Sequence, residues 1–495
     1  MRIRVVPTAS GKHSLQVVSK RFGNYIVHKH IGSYADDKEK AILYEKAHLF
    51  IKKHTGQISF SDYLTTPSLS DVIITQSRPL FAYDLLSRCY DKLGFNRYPD
   101  SLIKDLVIAR LYHPASKKGL QEYIYESLGR QYSLKTIYRH LKQSLKDGIK
   151  EQFQEALIAF AKSDLGDTLQ LVFYDVTTLY FDSQVKTTLK DFGFSKDHRS
   201  SDTQIVIGLV VNRQGFPLYF DVFSGKTFEG HTLIKVIENI RELLGVPELI
   251  LVADAAMLSQ ENIAQLTAKA IKFIVGARLA NLSAALIDRI HATVGKQDNN
   301  IAEFSHHGQR LICHYSEKRA RKDKSDRLRQ IEKAKTVIVH PAGVMGRYRF
   351  VKKDKELKYS INTELIEKAG KLEGVKGYIT NTDLDRRIVI ERYGDLWHVE
   401  KSFRITKSDL EARPIFHRLD ETIKAHMIVV FAGLAISKYL EQSTGMSIKK
   451  VLQYASRILT HTIINTKTGE KIDKETTIEN TYIRDAIERL RRVGY

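Results

Sequence analysis

Apolar and polar residues alternate from Ser14 to Tyr34 (SLQVVSKRFGNYIVHKHIGSY), and Gly23-Asn24 sits where the alternation doubles back, which predicts a β-hairpin. A short helical pattern follows from Asp37 to His54. Between Phe81 and Phe160 the apolar spacing becomes helical, with one stripe through Leu85, Leu86 and Cys89 and another through Leu102, Leu106, Ile108, Ala109 and Leu111. Pro114 and Gly119 punctuate it. Ser133 is placed to cap a helix, SLKTIYRHLKQSLK, whose Lys135, Arg139, His140 and Lys142 ring a seam of Leu134, Ile137, Leu141 and Leu145. That design suits a recognition helix in a major groove and suits a basic surface helix equally.

From Leu169 the pattern changes. LQLVFYDVTTLYF is apolar and β-branched on both faces, as a strand buried on two sides must be. Ile205–Val211 and Leu218–Phe223 read as antiparallel neighbours joined through Asn212–Gly215. An amphipathic helix from His231 to Leu244 then leads into another buried strand, Leu249–Ala253. This order predicts a mixed α/β core. Short strand candidates (IKFIVGARL, TVIVHPAG, YRFVKK, KGYIT) surround a charged helical run, Glu317–Lys335, and suggest a mostly β insertion. Two helices should follow, over about Asp383–Lys407 and Leu419–Tyr439, and then a basic tail. The predicted organisation is a β-hairpin/helix region over 1–65, a helical region that binds DNA over 66–165, a core over 166–270 and 385–445, a β-rich insertion over 271–384 and a tail over 446–495.

Composition narrows the class of partner. The chain has 495 residues, 43% of them hydrophobic, which excludes wholesale disorder, and a net charge of +21, which points to a polyanion. Its two cysteines, Cys89 and Cys313, support neither a disulfide framework nor a cysteine-based zinc module. His306-His307 and Cys313-His314 lack paired-ligand spacing. The longest apolar run, Met427–Ile436, is too short for a bilayer, and the first residues lack a signal-peptide core. A cytoplasmic, nucleoid-associated protein with no membrane partner is expected.

Two of the buried strands end in an aspartate, Asp175 in LVFYD and Asp254 in LILVAD. A carboxylate at the edge of an apolar core is costly without a partner, and the ends of α/β strands are where ligand sites form. Asp254 could instead cap a following helix. A third acid, Glu400, falls in a stripe with Tyr393, Trp397, Phe403, Arg404 and Lys407 at helical spacing. Two aspartates and a glutamate brought together repel unless cations neutralise them. Mg²⁺ or Mn²⁺, in the form of two ions, would do so through oxygen ligands and would serve phosphoryl displacement.

At these residues the sequence resembles the DDE transposases of bacterial insertion sequences, in the insertion sequence 4 superfamily and most like its insertion sequence 1634 group. The similarity spans nearly the whole chain, including LVIARLYHPASKKG, YDVTTLYF, GFPLYFDVFSGKTFEGHTL, ADAAMLSQENI, YSEKRARKD, KGYITNTD and YGDLWHVEKSFRITKSDLEARPIFHR. The family signature of Tyr, Arg, Glu and Lys maps to Tyr393, Leu396, Glu400 and Lys407, so leucine stands where the arginine is expected. The resemblance implies a ribonuclease H-like catalytic core with a β-rich insertion between Asp254 and Glu400. It implies Asp175, Asp254 and Glu400 as catalytic metal ligands, and Tyr393 and Lys407 as contacts to the end of the element, alongside Trp397 and Arg404 on the same stripe. It further implies double-stranded DNA (terminal inverted repeats and target) as partner, and pairing two ends favours a homodimer in the synaptic complex. The competing expectations are an inactive transposase relic that only binds DNA, and a haloacid dehalogenase-type phosphohydrolase. The second lacks the aspartate its motif needs at position 177, which is Thr177.

Overall fold

In the computed structural model the predicted hairpin forms from β2 (His13–Arg21) and β3 (Asn24–Tyr34), and a strand the pattern did not announce, β1 (Arg2–Pro7), pairs antiparallel with β2. The reversal is one residue earlier than expected. Phe22 and Gly23 both take positive φ (50° and 84°), which matches the twist of a two-residue hairpin. Helix α1 (Asp37–Thr55) covers this sheet, closing a small core of Leu15, Val17, Tyr34 and Ala47. The structure describes residues 1–9, 11–55, 71–195, 199, 201–257, 259–339, 348–353, 359–466 and 468–495.

The chain forms two compact units, Met1–Ser77 with His461–Lys474, and Arg78–Thr460 with Glu475–Tyr495. In the first, β4 (Val72–Arg78) pairs with β15 (Thr460–Asn465), which pairs in turn with β16 (Lys471–Glu475). Thus part of the stretch expected to be helical is a strand, and part of the expected tail is its partner. The boundary expected at residues 65 and 66 lies outside the described residues.

The second unit begins with five helices, α2 (Leu80–Lys92), α3 (Ser101–Tyr112), α4 (Lys117–Leu128), α5 (Leu134–Lys146) and α6 (Ile149–Ser163). Asp100, Ser116 and Ser133 cap α3, α4 and α5 by accepting first-turn backbone N–H groups. α2, α3, α5 and α6 pack around α14 (Asp420–Thr444), whose residues from Thr422 to Leu440 are almost all buried, and α4 packs on α3 and α5. A helix apolar on every side must be enclosed. Although α14 is long and apolar enough to span a bilayer, it is buried within the molecule.

Beside the helices stands an eight-stranded mixed sheet in the order β10-β11-β14-β9-β8-β5-β6-β7. Its strands are β5 (Leu171–Tyr180), β6 (Gln204–Val211), β7 (Pro217–Ser224), β8 (Ile250–Ala253), β9 (Lys272–Gly276), β10 (Ile301–His306), β11 (Gln309–Tyr315) and β14 (Val375–Thr380). β5 runs parallel to β8 and β8 to β9, whereas β5–β6 and β6–β7 are antiparallel. α7 (Leu233–Leu244) precedes β8, α8 (Gln260–Ala268) joins β8 to β9, and α9 (Ala284–Val294) precedes β10.

The segment read as an insertion is not a separate β layer. β9, β10, β11 and β14 extend the same sheet, and helices α10 (Glu317–Val339) and α11 (Thr363–Lys371) lie between β11 and β14. Of the strand candidates there, Thr336–Val339 is the end of α10, the rest of TVIVHPAG lies outside the described residues, and Val351–Lys353 (β12) forms a two-stranded ladder with Tyr359–Ile361 (β13). The tail carries α15 (Ile448–Ala455) and α16 (Thr481–Arg491), which pack together.

Candidate active site

The parallel register of β5 and β8 decides where the first two acids stand. Tyr174 pairs with Ala253, so Asp175 and Asp254 are the next positions on adjacent strands, which lie about 4.8 Å apart. β8 ends there. β5 continues to Tyr180 with only β6 at its side, leaving a notch at the carboxyl end of β8, where open α/β sheets place their ligands. Asp175 is partly exposed between buried neighbours, and its Oδ1 accepts from the Val176 N–H at 2.7 Å. Thr177 and Thr178 are buried in β5.

Asp254 is exposed and caps the short turn Ala255–Met257, accepting the Ala255 N–H at 2.6 Å. The same Oδ1 accepts the Tyr393 hydroxyl at 3.2 Å. That approach depends on Gly276 at the end of β9, since a Cβ there would lie 2.6 Å from the Tyr393 hydroxyl and 3.2 Å from the Ala255 Cβ. Tyr393 is buried with its ring 4.8 Å from that of Tyr378. Burial first, and then the Asp254 charge, raise the Tyr393 phenol far above its ordinary value, so it stays a donor.

The segment expected as one helix over Asp383–Lys407 is three pieces. α12 (Arg386–Gly394) ends in a tight turn at Asp395-Leu396, α13 (Trp397–Arg404) resumes, and a π-turn, Ile405–Asp409, closes it. At the junction the Leu396, His398 and Val399 N–H groups bond three residues back, and these bonds re-phase the helix. The single stripe therefore divides. Tyr393 and Phe403 are buried, whereas Trp397, Glu400 and Arg404 share an exposed face of α13, and Lys407 is half-buried in the π-turn. Leu396 is buried, so no cation stands at the signature arginine position. Tyr393 is directed at Asp254 rather than at solvent.

α13 is held down from two sides. It packs on β5 and β6, and the Ser402 hydroxyl donates to Gly215 O at 3.2 Å in the β6–β7 turn. Arg213 of that turn grips Glu391 (2.7 Å) and Asp395 (3.1 Å) at the α12–α13 junction. On the other side Lys401 of α13 and the buried Lys438 of α14 both pair with Glu441, Lys438 at 2.9 Å.

Lys376 of β14 links the second and third acids. Its Nζ lies 4.5 Å over the Tyr393 ring, and the charges of both Asp254 and Glu400 act on it. Burial, reinforced by Arg319, lowers the Lys376 ammonium, and the two carboxylates oppose that shift. Sequence reasoning missed Lys376. The available signal was a lysine alternating with Tyr378 and Thr380 on one face of an otherwise apolar strand. Beside it opens a cleft of about 510 Å³ whose lining includes Arg278, Arg319, Arg327, Arg349 and Lys368; within it Arg319 pairs with Asp323 and Arg327 with Glu373.

The geometry thus brings Asp175 beside Asp254, and Asp254 and Glu400 to one lysine and one tyrosine. Among the described residues no three His, Cys, Asp or Glu side chains stand close enough to form a ready metal cage. The donor set nevertheless fits a hard divalent cation, being all carboxylate and reached by solvent at Asp254 and Glu400.

A family model described as the transposase DDE domain matches residues 168–435, more than half of the chain, and the chain belongs to this family of transposases. Among solved structures it is similar to a piggyBac transposase synaptic complex with hairpin DNA, determined by cryo-electron microscopy, at 9% identity and a TM-score of 0.37, over 90% of this chain and 80% of that one. No curated protein matches the chain.

Proposed function

We propose that the protein is an insertion-sequence transposase of the insertion sequence 4 superfamily, closest in kind to the insertion sequence 1634 group. It would cut DNA at the element ends and join the freed ends to target DNA. The observation that carries this reading is the register of β5 and β8, which sets Asp175, in mid-β5, beside Asp254 at the end of β8 within the matched domain. The mixed sheet, with β5 between the parallel β8 and the antiparallel β6, supports a ribonuclease H-like core.

Asp175, Asp254 and Glu400 would hold Mg²⁺ or Mn²⁺, as two ions in the family's manner; bound there, the metal supplies charge stabilisation for the attacking and leaving oxygens of an in-line displacement. The chain's own residues do the rest. Tyr393 fixes the Asp254 carboxylate, and Lys376 offsets the mutual repulsion of Asp254 and Glu400. Trp397, Arg404 and Lys407 are offered to the strand being cut. Lys135, Arg139 and Lys142 stand exposed on α5, whose apolar seam faces the core, and suit duplex binding outside the acid site. Water hydrolyses the phosphodiester at the element end, and the freed 3′-hydroxyl then attacks target DNA by the same displacement, with no covalent protein intermediate. Two protomers would pair the two ends in the synaptic complex, in the bacterial cytoplasm at the nucleoid.

The test is a gel-shift and a cleavage assay on one duplex carrying the inverted repeat that flanks the gene, with and without Mg²⁺. Binding with metal-dependent strand cleavage is expected. Binding without cleavage at any metal concentration would favour a transposase relic that only binds DNA.

A further inference from the structure

A second set of charged side chains lies away from the acids, among α3, α4, α14 and the segment before α14. Arg110 ends α3, Lys117 begins α4 just after its cap Ser116, His417 precedes α14, and His426 lies on α14. All four are more than nine-tenths buried, with exposures of 5%, 4%, 6% and 4%. They line a cavity of about 120 Å³ whose rim includes the exposed Lys118 and Phe416 and Tyr138 of α5.

Buried cations ordinarily stand against carboxylates. Here two guanidinium nitrogens of Arg110 donate to backbone, the Ala115 carbonyl at 2.5 Å and the Glu411 carbonyl, and among the described residues the one acidic charge acting on Arg110 is that of the exposed Glu411. Among the described residues only basic groups act on Lys117, His417 and His426, together with the Ala412 backbone at His426. The Arg110 Nε, His417 Nδ1 and His426 Nδ1 are buried donors or acceptors without a partner among the described residues. Such a group costs free energy unless something fills the cavity and satisfies it. The N-terminal end of α4 adds a partial positive charge to the same wall.

We propose that this cavity is a binding site for a phosphate-class oxyanion, held by Arg110, Lys117, His417 and His426 and separate from the acid site. The chemistry is shared by a DNA backbone phosphate and by free orthophosphate. A compact tetrahedral anion accepts from several donors at once, as these four converging groups require. In its absence burial drives Lys117 down to about 7 and His417 to about 3, so a bound anion would also restore the protons the cavity otherwise expels.

The experiment uses the full-length protein and sodium phosphate, by isothermal titration calorimetry and thermal denaturation against chloride of equal ionic strength. Saturable binding and a rise in Tm beyond that in chloride are expected. Lys117→Met should weaken phosphate binding by at least about 10-fold, yet in chloride should melt no lower than wild type, because it removes a buried amine that lacks a compensating acid. Repeating the titration with a saturating DNA duplex separates the sources. Loss of phosphate binding, with weaker duplex binding by Lys117→Met, assigns the site to a DNA phosphate, whereas unchanged phosphate binding assigns it to the free ion. No saturable phosphate binding by wild type together with unaltered duplex affinity in Lys117→Met would overturn the proposal. So would phosphate binding unchanged in both Lys117→Met and Arg110→Met.

Discussion

The Tyr393 hydroxyl donates to Asp254 Oδ1 at 3.2 Å, joining a buried residue of the signature segment to an acid at the end of β8. Tyr393→Phe removes only this bond. Folding should be weakened by no more than about 0.5–1.5 kcal/mol, while strand cleavage should fall about 10- to 100-fold, as when a partner that orients a metal ligand is lost. Urea denaturation beside single-turnover cleavage measures both. Full activity in Tyr393→Phe would show that Asp254 needs no such support.

Gly276 controls the same bond from the opposite side. A Cβ at this position meets the Tyr393 hydroxyl at 2.6 Å, so Gly276→Ala should displace it and reproduce the cleavage defect of Tyr393→Phe. Because both changes act through one contact, the double variant should be no worse than the poorer single variant. Additive losses in a double-mutant cycle would mean that Gly276 acts elsewhere.

Glu441 holds two lysines, Lys401 of α13 and the buried Lys438 of α14. Glu441→Ala leaves Lys438 buried without its carboxylate and should cost about 3 kcal/mol. Adding Lys438→Met should recover most of that loss. Denaturant midpoints check this, and a double variant as unstable as Glu441→Ala would indicate that packing, not charge, is responsible.

The buried histidines set a pH dependence. Burial, followed by the Lys117 and Arg110 charges, lowers His417 from an ordinary 6.5 to about 3, and His426 is also held well below its ordinary value. Between pH 6.5 and about 3 the unfolded chain binds protons that the fold refuses, so stability in phosphate-free buffer falls as pH falls through that window. His417→Asn should flatten the decline. Parallel wild-type and variant curves of urea midpoint against pH would exclude His417 as a cause.

Much of this was legible in the sequence because it is local. Runs such as LVFYDVTTLY and LILVA announce strands buried on both faces, and Asp175 and Asp254 are conspicuous as the charges in or next to such runs, although β5 does not end at Asp175 as expected but continues to Tyr180. The cap at Ser133 follows from short-range hydrogen bonding. What escaped was non-local. Nothing in Val72–Arg78 specifies a partner at Thr460–Asn465; IKFIVGARL and KGYIT gave β9 and β14 without saying that they extend the core sheet, and β10 and β11 were not anticipated. The stripe through Tyr393 and Glu400 misled because a turn of bonds three residues back re-phased it at Leu396. Lys376 escaped because its role depends on acids supplied by two other elements.

The central claim is that Asp175, Asp254 and Glu400 serve one divalent-cation site, and the direct measurement is Mn²⁺ binding to the full-length protein by electron paramagnetic resonance. Asp175→Asn, Asp254→Asn and Glu400→Gln should each weaken Mn²⁺ binding by about 10-fold or more, while duplex affinity without metal is retained. If any one of the three binds Mn²⁺ as tightly as wild type, that residue does not belong to the site, and the account built on these three acids is contradicted.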